Sequence, residues 1–240
     1  MPRSVDELLS VEGIGRVTVA KLKSAGIAFL EDLIAFNPEE LEALAGIEPE
    51  RAVKVIRAAR RLLGWEVRVM RGKEYAEQLL KRDTLTTGVQ SIDELLGGGI
   101  AVYDIYEFAG EFGSGKTQLC HQLAVTAQLP PARGGLGAAV AYIDTEGTFS
   151  PERLERVGRR FGLEDPLAGV FVARPLNVDE MEEVVVRGLP PLMREGVRLI
   201  IVDSIIALYR AEFKGREWLA ARQQRINYLL DWLKRMARIH

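Results

Sequence analysis

Gly110, Glu111, Phe112, Gly113, Ser114, Gly115, Lys116 and Thr117 form an eight-residue run that fits GxxxxGK[ST]. Glycines at these spacings let a backbone turn tightly around an anion and aim successive N–H groups at it. The helix that follows presents its positive N-terminal end to the same charge. A lysine in the position of Lys116 reaches the β- and γ-phosphates of a nucleotide, and a hydroxyl in the position of Thr117 holds Mg²⁺. A chain of this length matches the pattern by chance only about once in a hundred. The flanks point the same way: Ile105 to Ala109 reads as a buried strand, and Lys116 to Leu129 has helical apolar spacing without Gly or Pro.

Two acidic residues downstream suit the chemistry of a bound nucleotide. Asp203 closes the apolar run Leu199 to Val202, a placement from which a carboxylate holds Mg²⁺ directly or through water. Glu146 follows Ala138 to Ile143 in the segment Asp144 to Phe149, where a carboxylate can orient, or take a proton from, a water attacking the γ-phosphate. An ordinary acidic loop residue is the competing reading for Glu146, and spacing alone does not separate the two.

A particular architecture must position these groups. Ala138 to Ile143, Val170 to Ala173 and Leu199 to Val202 are short β-branched runs of the kind buried in parallel sheets. Helical patterns fill the gaps at Pro151 to Phe161, Val178 to Arg194 and Glu217 to Arg238, with Pro190 and Pro191 set to bend or end the middle one. Alternation of this kind predicts an α/β core on a mostly parallel sheet, with ligands at the carboxyl ends of the strands. The core is expected over residues 85–240, behind a linker at 65–84 that reads as a strand followed by a helix.

Residues 1–64 read as a separate all-α unit of short helices broken at Gly13, Gly15, Gly26 and Gly46. The stretch Val11 to Leu22 resembles a helix-hairpin-helix, in which the Gly13-Ile14-Gly15 turn offers N–H groups to a DNA phosphate with Arg16, Lys21 and Lys23 nearby. A second, degenerate copy lies at Leu44 to Glu48, where Glu48 replaces the second glycine. The competing reading of these basic residues is a solvated helix face.

Composition sets outer bounds. The 240 residues are 48% hydrophobic and 28% charged, which is globular rather than disordered. The formal net charge of −2 means that any nucleic-acid contact must come from local basic patches. Cys120 is the sole cysteine and reads as a small buried apolar residue; an internal disulfide is excluded, and a reducing, cytoplasmic compartment is expected. No membrane span or leader pattern is evident.

Gly110 to Gln118, Leu129 to Pro131, Asp144 to Arg153 and Ala207 to Gln223 together closely resemble the RecA-like DNA strand-exchange recombinases of the archaeal and eukaryotic branch. The resemblance spans nearly the whole chain. It implies a RecA-like P-loop ATPase core behind a helix-hairpin-helix domain, with ATP and Mg²⁺ as cofactors. It further implies single- and double-stranded DNA as partners, a homo-oligomeric filament or ring, and work in DNA repair and recombination at the nucleoid. Carried over by position, Glu146 is the catalytic glutamate and Arg153 packs against the adenine. Arg210, Arg216 and Arg222 become phosphate contacts in a DNA-binding loop, a role that suits guanidinium groups.

The chain departs from the family pattern in two places. Val69-Met70-Arg71-Gly72 stands where the family carries a Phe-x-x-Ala plug that docks on the neighbouring core, and loss of such an aromatic anchor weakens self-assembly. The sequence stops at His240, where the family continues with a strand bearing a γ-phosphate-sensing glutamine, a second DNA-binding loop and the last core strands; a fragment is therefore expected. Two alternatives remain beside the recombinase: an ATP- and DNA-binding adaptor without strand exchange, and a hexameric replicative helicase.

Overall fold

The computed structural model describes residues 2–239 and divides into two compact units, one running to Glu77 and one from Gln78 to Arg238. The first unit opens with a 3₁₀ turn, Val5–Ser10, capped by the Ser4 hydroxyl, which accepts from the Asp6 amide at 3.1 Å. Four helices follow: α1 (Arg16–Ser24), α2 (Leu30–Leu33), α3 (Pro38–Ala45) and α4 (Pro49–Leu63). Asn37 explains the start of α3: its side chain accepts from the Glu40 amide at 2.8 Å, and the Glu40 carboxylate accepts from the Asn37 amide at 2.8 Å. Val5, Leu8, Leu22, Leu30, Leu33, Leu41 and Val55 are fully buried and make the core of this unit. The boundary between units falls within α5 (Gly72–Leu79).

In the second unit, β1 (Thr84–Leu85) precedes α6 (Gln90–Leu95) and pairs antiparallel with β2 (Ile100–Ala101). Next come α7 (Lys116–Thr126), β3 (Ala139–Asp144), α8 (Pro151–Arg160), β4 (Val170–Ala173), α9 (Val178–Glu183), α10 (Leu189–Arg194), β5 (Val197–Asp203), α11 (Ala207–Glu212) and α12 (Leu219–Ile239). β4, β3 and β5 form a parallel sheet in that order, as the alternation of strands and helices predicts. Val140 and Tyr142 of β3, Ile201 of β5, Leu123 to Val125 of α7 and Leu154 of α8 share one core. Ala141 and Ile143 point to the other face and are equally buried, so the sheet is covered on both sides.

Three local expectations are corrected. Ile105 to Ala109 forms no strand: the segment makes no backbone ladder, and Ile105 is exposed. The sheet order leaves β4 and β5 each with an open edge, and residues 105–109 pair with neither. Residues 65–70 likewise form no strand; Val67 and Val69 lie fully exposed. Between Val178 and Arg194 the helix neither ends nor breaks at the prolines. A π-turn, Val184–Gly188, separates α9 from α10, and the Leu189 amide donates to the Val184 carbonyl. Pro190 and Pro191 follow directly, so the helix runs on through two residues that donate no backbone N–H.

Candidate functional site

The carboxyl ends of three adjacent strands carry Arg174 after β4, Asp144 at the end of β3 and Asp203 at the end of β5. Asp144 and Asp203 are register partners across the parallel ladder. Both are buried, and each is differently satisfied. Asp144 accepts from the Thr148 amide at 2.9 Å and the Phe149 amide at 3.2 Å, with the Arg174 guanidinium at 3.4 Å. It therefore folds the turn after β3. Asp203 accepts from the Tyr142 hydroxyl at 2.8 Å. Burial, reinforced by Cys120 and Asp203, raises the Tyr142 pKa, so the phenol stays the donor in that bond.

Glu146 sits exposed in the turn that Asp144 organises, and its Oε1 accepts from the Ser204 hydroxyl at 2.6 Å. The Thr145 hydroxyl donates to the Ser204 carbonyl at 2.7 Å and accepts from the Ser204 amide at 2.8 Å. The turn after β3 is thus pinned to the residue that follows Asp203. The two carboxylates singled out in the sequence are brought together at neighbouring strand ends, with Ser204 between them.

The phosphate-loop sequence folds as a turn leading into α7. Gly113 and Gly115 have φ of 81° and 95°, a region closed to most side chains, and Gly115 is the N-cap of α7. A Cβ on Gly110 would stand 2.7 Å from the Ser114 hydroxyl, which would have to rotate away to make room for it. The Lys116 ammonium donates to the carbonyls of Gly110 at 2.8 Å and Glu111 at 2.9 Å, which holds it within the loop. Glu111 and Phe112 are exposed at the tip; Thr117 is half-buried in the first turn of α7. α7 packs against α8 and β5. Cys120, one turn beyond Lys116, meets both Asp203 and Tyr142 electrostatically, and burial first, then Asp203, pushes its thiol up to about 12. The loop's helix and Asp203 therefore lie on one side of the sheet end.

A cation at this place would find the Thr117 hydroxyl and the Asp203 carboxylate, both hard oxygen donors that suit Mg²⁺ shared with phosphate oxygens and water. No cluster of three or more His, Cys, Asp or Glu side chains able to hold a metal alone occurs among the described residues. Arg153 lies in the first turn of α8, where its amide donates to the Ser150 cap at 3.2 Å; its Nε is buried with no hydrogen-bond partner among the described residues.

The arginines of the second proposed site lie around the break between α11 and α12. Arg210 and Arg216 are exposed and Arg222 is half-buried. Arg225 anchors the start of α12 to α9, donating to Glu182 at 2.6 and 2.9 Å and to Asp179 at 2.7 Å. Glu212 anchors α11 by accepting from the Val178 amide at 2.6 Å. Between these anchors, Phe213 stacks on buried Tyr209, and half-exposed Trp218 packs edge-on against Phe213 at 6.2 Å. The family resemblance pointed to the arginines and passed over Trp218.

In the first unit, Gly13 has φ of 80°, and a Cβ there would collide with the Lys54 ammonium. Reciprocally, the Lys21 ammonium donates to the Gly46 carbonyl at 2.6 Å, so a lysine from each hairpin reaches the glycine turn of the other. Gly15 caps α1 and has open space where a Cβ would stand.

A phosphate-loop helix docked on a parallel sheet, with paired acids at the strand ends, defines a P-loop nucleotide-binding core of the RecA-like α/β class. Residues 79–240 match the Rad51 family model, and residues 5–61 match the SAM-like helix-hairpin-helix tandem model. The chain belongs to the Rad51 family. It is 43% identical over 247 aligned residues to the DNA repair and recombination protein RadA of Ignicoccus hospitalis, an alignment covering 100% of this chain and 73% of that relative. No helix among the described residues is long and apolar enough to cross a membrane.

Proposed function

We propose that this chain is an ATP-dependent DNA recombinase: it binds single-stranded DNA as a filament of copies, pairs it with homologous duplex and exchanges strands during DNA repair and recombination. The observation that carries the reading is that Asp203 and the Glu146 turn stand at adjoining strand ends, beside the helix that follows the Gly110–Thr117 loop, in a member of the Rad51 family. The backbone N–H groups of Gly113 to Lys116 bind the phosphates at the start of α7, and the Lys116 ammonium exchanges its loop carbonyls for phosphate oxygens. Thr117 and Asp203 would hold Mg²⁺, which would supply positive charge against the negative charge building on the phosphate. Glu146, fixed by Ser204, orients the attacking water and takes its proton. Arg153 packs on the adenine.

DNA is held by Arg210, Arg216 and Arg222 through its backbone, without base readout, and by the N–H groups at Gly13 and Gly15 through phosphate. The chain acts where chromosomal DNA lies. A second reading, an adaptor that binds ATP and DNA without exchanging strands, is favoured by the absence of an aromatic plug at Val69-Met70-Arg71-Gly72. A strand-exchange assay separates the two. The recombinase forms joint molecules from a single strand and homologous duplex only with Mg·ATP; ATP and DNA binding without joint molecules refutes it.

A further inference from the structure

His121 ties the phosphate-loop helix to the turn that carries Glu146. It lies on α7 one turn beyond Thr117 and is completely buried. Its Nδ1 is 2.7 Å from the Thr117 carbonyl oxygen, and its Nε2 is 3.0 Å from the Ser150 amide. A carbonyl can only accept and an amide can only donate, so Nδ1 carries the proton and Nε2 offers its lone pair. One neutral tautomer satisfies both neighbours.

The ring is also clamped. It stacks on Phe149, with centroids 5.4 Å apart and planes 19° apart, and leans on Tyr142 at 5.5 Å. Tyr142 is the donor to Asp203, and Phe149 donates its amide to Asp144. Ser150 caps α8 and closes the turn that begins at Asp144. The Glu146 turn is therefore fixed to the strand ends, to the start of α8 and, through His121, to the first turn of α7. Both nitrogens are hydrogen-bonded, each to a different element.

We propose that His121 is a positioning residue for ATP hydrolysis: it transmits movement of the α7 N-terminus, where phosphate binds, to the turn that aims Glu146. This deepens the nucleotide-hydrolysis reading above and rests on it. Misplacement of a reacting group by about 1 Å can cost on the order of a hundredfold in rate, so a link of this kind is worth that much without touching substrate.

Three substitutions separate transmission from packing. His121→Gln places a carbonyl oxygen where Nε2 accepts from Ser150 and so keeps the link between elements. His121→Asn can reach only the Thr117 carbonyl and loses that link. His121→Phe keeps the stacking and loses both bonds. Hydrogen exchange of the peptide spanning residues 145–150 is measured in the full chain with and without Mg·ATP, beside ATP affinity and single-turnover hydrolysis. Without nucleotide, the Ser150 amide exchanges at least about tenfold faster in the Asn and Phe variants than in the parent or the Gln variant, since it donates to Nε2 in the parent. With Mg·ATP, exchange across the turn slows in the parent and the Gln variant but not in the Asn and Phe variants. Their ATP affinity stays within about threefold of the parent while turnover falls about ten- to a hundredfold. Equal Ser150 exchange in parent and Asn variant overturns the link itself. A turn that still responds to ATP in the Asn variant, or an affinity loss matching the loss of turnover, overturns transmission. Absence of ATP binding by the parent refutes the nucleotide reading and transmission with it, whereas normal binding with an unresponsive parental turn refutes transmission alone.

Discussion

Glu146→Gln is the substitution that isolates proton removal from everything else at the site. The Glu146 Oε1 accepts from the Ser204 hydroxyl at 2.6 Å, and a glutamine carbonyl can accept the same bond in the same place. Asp144 continues to fold the turn through the Thr148 and Phe149 amides, and Thr145 continues to pin it to Ser204. What disappears is a carboxylate able to take a proton. A positioned general base contributes about 10²–10⁴ in rate, so the barrier rises by about 3–5 kcal/mol. Ser204→Ala removes orientation alone and slows turnover about tenfold, on the scale of one net hydrogen bond of about 1.4 kcal/mol. Single-turnover hydrolysis of Mg·ATP with saturating single-stranded DNA measures both, and equilibrium titration shows whether ATP still binds. Hydrolysis by Glu146→Gln at the parental rate would refute the assignment, as would a loss of ATP affinity proportional to the loss of rate.

Other outcomes follow from the same geometry. Arg216→Ala lowers affinity for single-stranded DNA and reduces the salt slope of binding by about 0.7 for the lost phosphate contact, read from fluorescence anisotropy across a salt series; an unchanged slope and affinity places the DNA site elsewhere. Trp218→Ala is expected to weaken the same binding by about 1–3 kcal/mol while leaving the slope intact, because stacking of the half-exposed indole on a base would neutralise no phosphate; unaltered affinity rules out stacking. Cys120 resists alkylation at pH 8 in the folded chain and reacts in denaturant. With its pKa pushed up to about 12, about one thiol in ten thousand is ionised at that pH, and rapid native labelling followed by mass spectrometry would contradict the burial of this side of α7.

The helix after the phosphate loop and the three parallel strands were legible in the sequence because each is specified locally. Glycine spacing names the loop, and a short β-branched run bounded by turn residues names a buried strand. Ile105 to Ala109 carried the same signal and forms no strand, since periodicity records which side chains favour burial but not which backbone a run pairs with. Pro190 and Pro191 were expected to bend or end the helix, which instead runs on through them behind a π-turn at Val184–Gly188. The partners of the site were illegible for another reason. Ser204 meets Glu146 across 58 residues, Tyr142 meets Asp203 across 61, and His121 meets Ser150 across 29. Contacts of that range are written only by the fold, which is why the acids could be picked out in the sequence while the groups that hold and orient them could not.

The account depends first on Gly110 to Thr117 being a nucleotide-phosphate cradle with Lys116 at its centre. Calorimetric titration of Mg·ATP into the parent chain and into Lys116→Ala tests this without requiring hydrolysis, DNA or assembly. Lys116 meets ground-state phosphates, so its loss acts on binding itself, and a charge-assisted contact of about 1.5–3 kcal/mol corresponds to roughly ten- to a hundredfold in affinity. The account predicts saturable one-to-one binding by the parent and at least tenfold weaker binding by Lys116→Ala, with both proteins equally folded. Equal affinity in the two, or no binding by a well-folded parent, would contradict it.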